Sequence, residues 1–326
     1  MATEPEDKSK SSEEQKPIKM DDSALPLNKR VLFEIDQIAN EIVKLRGRPL
    51  LLMFYSHTAG KIMPADLNYL EEGVFGDVEK LAGLDLILHT RGGDVSSSYR
   101  IAQLIRSKCL NLNALIPIYS YSGGTVISLA ADEILMNRGT SLISPIDVQL
   151  NNDKESMSLL NFDKFIEFLK ETSNYFEFED DDQRAKFISA LMEKLVERID
   201  PLQIGEFYRL RGLQSFYAKT LLTEYMFRND SDKERIANDI VTQLTSKCPT
   251  HDFDIDFQIA LDIGLKVGEL EKKTYKLGKQ LINKCVLAKR MGIVCDYIDS
   301  KHNWRMPFFK LYGVTTSATG EDNEKK

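Results

Sequence analysis

The chain has 326 residues, a formal charge of −7, and 42% hydrophobic against 29% charged residues. That length can bury a sizeable core, in one large domain or two smaller ones. The acidic balance argues against general nucleic-acid binding, because no net positive charge exists to attract phosphates.

Residues 1–26 are polar, charged and almost free of large apolar side chains, and 313–326 read the same way. Such segments bury too little surface to offset their ordering entropy, so both are expected to be disordered tails. The N-terminal stretch has no apolar leader core, and no run approaches about eighteen apolar residues. Cys109, Cys248, Cys285 and Cys295 lack CxxC or Cys/His metal spacing and read as reduced thiols. A cytoplasmic protein without a transmembrane segment is the expectation.

Across 28–47, Val31, Ile35, Ile38, Ile42 and Leu45 recur at helical spacing, with Gly47 as a stop. "PLLLMFY" is a short buried strand, a helical piece follows around 64–81, and "LDLILHT" is a second buried strand. Residues 95–108 read as a helix with Ile101, Leu104 and Ile105 on one face. "NALIPIYSY" gives a third strand, "GGTVISLAA" a short buried helix, and "DEILMN" a fourth strand. Strands alternating with helices imply a parallel sheet with right-handed crossovers, so 27–150 is expected to be an α/β core.

Beyond Pro145 the pattern turns to long helices over 155–175, 183–199, 201–228 and 231–247. A short helix ending near Gly264 and an amphipathic basic helix follow. Residues 151–312 therefore read as a helical C-terminal half packing on the core. The basic run from Lys272 to Arg290 reads as a solvated helix face.

Two segments carry chemistry. In "HTRGGDV" a glycine pair ends the second strand, where backbone amides can approach a ligand. It is neither a GxGxxG nor a Walker loop. In "SYSGGT", Ser122 stands where the third strand gives way to a helix. It is not the GxSxG elbow, since Ser120 occupies the first position. Alone, each fits a tight turn or a helix cap. Together they supply a nucleophile and two backbone donors, as acyl transfer requires.

This arrangement resembles the Clp-protease/crotonase superfamily, and within it the signal-peptide-peptidase-A-like branch known as the serine dehydrogenase proteinase family. The resemblance is carried by "LILHTRGGDV", "IPIYSYSGGTVISLAADEILM" and "SLISPIDVQL", with looser echoes in "DPLQIGEFYRLRG" and "HDFDIDFQIALDIGLKV". It implies a Clp/crotonase-like α/β fold and an ATP-independent serine endopeptidase acting on peptides or unfolded protein. Ser122 would form the acyl-enzyme, and the amides of Gly92 or Gly93 and of Gly123 would hold the oxyanion. It also implies a homo-oligomer and no metal or organic cofactor. Two residues depart from the pattern: Arg91 replaces the usual proline, and Thr140 stands where relatives carry histidine or another polar residue.

A serine hydroxyl needs a base. The histidines are His57, His89, His251 and His302. Of these, His89 ends the second strand beside the glycine pair, and His251 opens a motif-like segment. Both have structural readings as well as accessory ones, and Asp147 either orients a base or caps a turn. The family resemblance implies a Ser–Lys dyad. Lys164 lies among Leu159, Leu160, Phe162, Phe165, Ile166, Phe168 and Leu169 and is the candidate, with Lys154 and Lys170 as rivals. Two other readings of the same fold stay open: a crotonase-like acyl-CoA enzyme and a catalytically silent binding module.

Overall fold

The computed structural model describes residues 26–56, 60–146, 149–151, 156–158, 164, 166–168, 171, 178, 180–196, 201–250, 253–295, 298–299, 304–305 and 307–314. Helix α1 (Leu27–Arg46) buries Val31, Ile35, Ala39 and Ile42. Gly47 ends it in the left-handed region at φ 63°, its N–H bonded to the Val43 carbonyl. That conformation suits a residue without Cβ.

The continuous apolar runs form strands buried on both faces: β1 (Leu50–Phe54), β2 (Leu84–His89), β3 (Leu112–Ile116) and β4 (Glu133–Met136). Central parallel strands are covered by helices on both sides, which removes the need for polar alternation. Two further strands complete the sheet: β5 (Val267–Glu269) and β6 (Phe308–Tyr312). The spatial order is β6-β1-β2-β3-β4-β5. All neighbours are parallel except β6, which runs antiparallel to β1 with Leu50 opposite Tyr312. The expected α/β architecture with a mostly parallel, helix-flanked sheet is what the chain adopts.

Pleating divides the core. Leu51, Met53, Leu86, Leu88, Ala114 and Ile116 face one layer. On that side lie α2 (Pro64–Asn68), α3 (Val95–Ser107), α4 (Gly123–Ser128), α6 (Pro201–Leu221) and α7 (Lys233–Thr242). Leu50, Leu52, Phe54, Ile87 and Leu115 face the other, covered by α1 and α9 (Lys272–Arg290). A separate exposed helix, α5 (Asp181–Val196), precedes α6, and α8 (Phe257–Ile263) precedes β5.

Three differences from the periodicity reading have physical causes. β5 and β6 lie at the edges of the sheet and escape that reading for different reasons: β5 is only three residues, VGE, while β6, FFKLY, alternates buried and more exposed positions without a continuous apolar run. Residues 156–158 pair antiparallel with 149–151, so no helix begins at 155. The helical piece expected over 64–81 stops at Phe75, where Gly76 takes φ 44°.

The basic helix α9 is not merely solvated. It buries Leu277, Leu281, Ile282, Cys285 and Ala288, and its Lys273 and Lys284 pair with Glu41 and Glu34 of α1.

Candidate active site

The carboxyl ends of β2 and β3 carry the two glycine segments, and backbone pairing locks them together. Thr90 bridges Ser120, and the Tyr121 N–H donates to the Thr90 carbonyl at 3.0 Å. On the other side, Ile62 N–H donates to the Gly92 carbonyl and Asp94 N–H to the Ile62 carbonyl, each at 2.9 Å. A Cβ on Gly93 would lie 2.3 Å from the Ile62 nitrogen, so only glycine admits this pairing. Gly92 has φ 99°, and a Cβ there would meet the Ser122 Cβ at 2.7 Å. The glycine pair and the serine are thus packed backbone against backbone.

Ser122 takes φ 50° and ψ −110°. A non-glycine residue with positive φ is uncommon, and such conformations persist only where surrounding bonds over-determine them. The restraint is visible here. Ser122 N–H donates to Ser144 Oγ at 2.7 Å, Ser144 Oγ donates to the Pro145 carbonyl, and Thr125 Oγ1 donates to the Ser144 carbonyl at 2.9 Å. The string is not GxSxG, yet the turn does what a nucleophile elbow does: it lifts a serine between a strand and a helix. Ser144 and Thr125 are the residues that the sequence reading missed. Both lie inside quoted motifs, but nothing in their spacing signals a brace.

Two backbone amides lie close together beside this serine. A Cβ on Gly123 would fall 3.2 Å from the Gly93 nitrogen, so these N–H groups are neighbours. Among the described residues neither donates to a protein acceptor. Gly92 N–H is already committed, donating to Thr90 Oγ1 at 2.9 Å. Of the two donors the sequence offered at the strand end, Gly93 is therefore the available one.

Around the serine, Tyr119 and Tyr121 stack with centroids 4.8 Å apart. Tyr121 donates to Asp254 Oδ1 at 2.8 Å, and burial, then this carboxylate, push its phenol up. Arg91 is exposed and bonds the Tyr119 hydroxyl, partly countering the rise that burial imposes there. Arg91, which departs from the proline pattern, thus sets a cation against Tyr119. Thr140 is exposed and bonds Asn137 Oδ1 and the Tyr275 hydroxyl, at 3.0 and 2.8 Å.

The candidate bases fare differently. His89 is 4% exposed, with its ring stacked on Phe54 at 5.6 Å and tilted against Tyr119 at 4.1 Å. Strand alternation sends it with Asp85 and Ile87 to the α1/α9 face, opposite the layer that holds α4. Its accessory role gives way to its structural reading.

The apolar setting expected of Lys164 is corrected. Its side chain is 51% exposed, and Nζ pairs with Glu167 Oε2 at 2.7 Å. The apolar neighbours in sequence leave its own direction facing solvent. Asp147, His251, His57, His302, Lys154 and Lys170 lie outside the described residues. Among the described residues no side chain hydrogen-bonds Ser122 Oγ.

A buried acid, absent from the sequence reading, supports the loop. Asp66 is 4% exposed and accepts from the Tyr55 hydroxyl at 3.0 Å and Met63 N–H at 2.9 Å. Burial raises its pKa to about 6 despite these two bonds. Met63 follows the residue that pairs with the glycine loop.

The comparisons with known proteins bear on this region. Residues 78–165 match the family model of ClpP-like SDH-type serine proteinases. Two uncharacterized proteins of Methanocaldococcus jannaschii are similar in sequence. MJ0137 is 40% identical over 67 residues, 21% of this chain and 23% of that protein. MJ1495 is 25% identical over 195 residues, 60% of this chain and 55% of that protein. The matches therefore span about a quarter and about half of these relatives' length.

Proposed function

We infer that this chain, whose residues 78–165 match the family model of ClpP-like SDH-type serine proteinases, is a peptidase acting through an acyl-enzyme at Ser122. The observation that carries the reading is the braced, positive-φ Ser122 beside the uncommitted Gly93 and Gly123 amides. The hydroxyl attacks the peptide carbonyl, and the carbonyl oxygen takes up charge between the two N–H groups. The leaving amine departs with a proton, and water then attacks the ester to free the acid and restore the serine. Unfolded protein or peptide is the proposed substrate, without ATP, metal or organic cofactor.

The Ser122–Lys164 dyad is proposed on the resemblance alone, and the ion pair with Glu167 counts against it. Asp147 and His251 stay as accessory proposals on the same footing. A cytoplasmic homo-oligomer is proposed likewise; Tyr208 and Phe216 of α6, 53% and 63% exposed, are apolar surface that a second copy would cover. Sedimentation as a monomer at micromolar concentration would remove that part. No helix among the described residues is long and apolar enough to cross a membrane.

The test is labelling of the intact chain with a fluorophosphonate, read by mass. One adduct on Ser122, lost in Ser122→Ala together with hydrolysis of an unfolded substrate, is expected. Unchanged turnover in Ser122→Ala would remove the reading. Lys164→Met is expected to cost at least about 10²-fold in rate if the lysine is the base; wild-type turnover assigns that role elsewhere.

A further inference from the structure

The two glycine segments share a hydrogen-bond pattern. In each, a buried hydroxyl takes the N–H of one residue, and the N–H of the next is left uncommitted among the described residues. Thr90 Oγ1 accepts from Gly92 N–H at 2.9 Å, and Gly93 follows. Ser144 Oγ accepts from Ser122 N–H at 2.7 Å, and Gly123 follows. Both captured residues have positive φ, 99° at Gly92 and 50° at Ser122. The two hydroxyl residues, Thr90 and Ser144, are 0% and 4% exposed.

Local habit explains half of this. A threonine hydroxyl often bonds the backbone two residues on, so the Thr90 contact alone is an ordinary turn feature. Ser144 is different, because it reaches Ser122 across 22 residues of sequence. Its own proton goes to the Pro145 carbonyl at 3.0 Å, which leaves its lone pairs for the amide. The two braces also meet. The Thr90 Cγ2 lies 2.4 Å from where a Cβ on Gly124 would fall, so the Thr90 methyl packs against the first turn of α4.

Peptide units are planar, so consecutive N–H groups are related only through the φ and ψ between them. Holding the first amide while its residue keeps positive φ therefore fixes where the second points. Donors aimed in advance stabilise a developing charge best, because they need no reorganisation as it forms.

We propose that Thr90 and Ser144 are paired positioning residues of the oxyanion hole. Each holds the amide ahead of a donor, Thr90 aiming Gly93 and Ser144 aiming Gly123. The proposal rests on the peptidase reading of Ser122.

The test is the saturation kinetics of fluorophosphonate labelling of the full chain, which separate probe binding from the bond-forming step. Thr90→Val keeps the methyl against Gly124 and loses the acceptor, whereas Thr90→Ser keeps the acceptor and loses the methyl. Thr90→Val is expected to slow the bond-forming step about tenfold, the worth of one hydrogen bond, with probe binding unchanged. Thr90→Ser is expected to restore most of that rate even where its melting temperature falls. Ser144→Ala is expected to slow the step by a similar factor, with Ser144→Cys, a weaker acceptor of nearly the same shape, in between. A wild-type rate in folded Thr90→Val or Ser144→Ala overturns the proposal and leaves the peptidase reading in place. Equal slowing in Thr90→Val and Thr90→Ser also overturns it, since packing alone would then account for Thr90. A wild-type chain that takes no label on Ser122 removes the peptidase reading, and this proposal with it.

Discussion

The two ends of the central sheet hold buried acids under opposite terms. At the amino ends, Asp85 is 1% exposed and answers Arg46 at 2.7 Å, Arg48 at 2.8 Å and the Asn113 amide at 3.1 Å. Beside β4, Asp132 accepts from Arg106 and Leu112 N–H, each at 2.8 Å, from Asn111 at 2.9 Å, and pairs with Arg228. Burial pushes the Asp132 carboxyl up, but the Leu112 N–H and the two guanidiniums hold it below the usual carboxylate range. At the carboxyl ends, Asp66 has a phenol and an amide but no cation among the described residues. Beside it stands a serine at positive φ, with amides left uncommitted. The first end satisfies its charges; the second leaves strain and spare donors where substrate would sit. In open α/β sheets ligands sit at the strand carboxyl ends, the end that here is left less satisfied.

The largest expected break of this contrast is Gly93→Ala. Its Cβ would lie within 2.4 Å of the Ile62 nitrogen and carbonyl oxygen, so the loop must shift and the proposed oxyanion donor with it. Labelling of Ser122 should slow by about 10²-fold or more. A wild-type labelling rate would show that this amide is not a donor.

Asp132→Ala should do the reverse. It strands Arg106, 7% exposed, and removing one partner of a buried pair costs about 3–5 kcal/mol. Urea titration should show that loss, while Ser122 of the folded variant labels at the wild-type rate. A labelling defect in folded Asp132→Ala would erase the division between the two ends.

The smallest effect is on pH dependence. Asp66 titrates near 6 when folded and at about 3.8 when unfolded. Between these values the folded chain binds more protons, so stability falls as pH rises through the window. The contribution is fully present below the lower value and lost above the upper one, on the order of 3 kcal/mol. Asp132, lowered instead, stabilises above the ordinary carboxylate range and loses that contribution as pH falls. Melting temperatures from pH 4 to 7 should therefore decline less in Asp66→Asn, whose amide oxygen can accept both bonds. Parallel curves for the two proteins would show that Asp66 is compensated as fully as Asp132.

What the sequence disclosed follows the same division. Continuous apolar runs made β1 to β4 legible, because burial on both faces leaves no other composition. The glycine pairs and Ser122 were legible because close backbone approach admits few residue types. The brace by Ser144 and Thr125 was not, since a hydroxyl bonding a backbone amide imposes no spacing. His89 could be placed at the site by its neighbours in sequence, but its face depended on strand register. Lys164 misled for a related reason: apolar neighbours describe a helix, not the direction of one side chain. Asp66 went unread because nothing in "MPADL" tells that the acid turns inward to Tyr55.

The antiparallel strand β6 has a consequence for how the molecule is made. Its five residues pair with all of β1, the first strand of the sheet in chain order, yet they are synthesised after every other strand of the sheet. Until then β1 offers an unpaired row of amides and carbonyls that another chain can take up. Closing the sheet is thus a late, long-range step, slow by its sequence separation. A nascent chain halted before residue 308 carries an open edge that the finished one has covered.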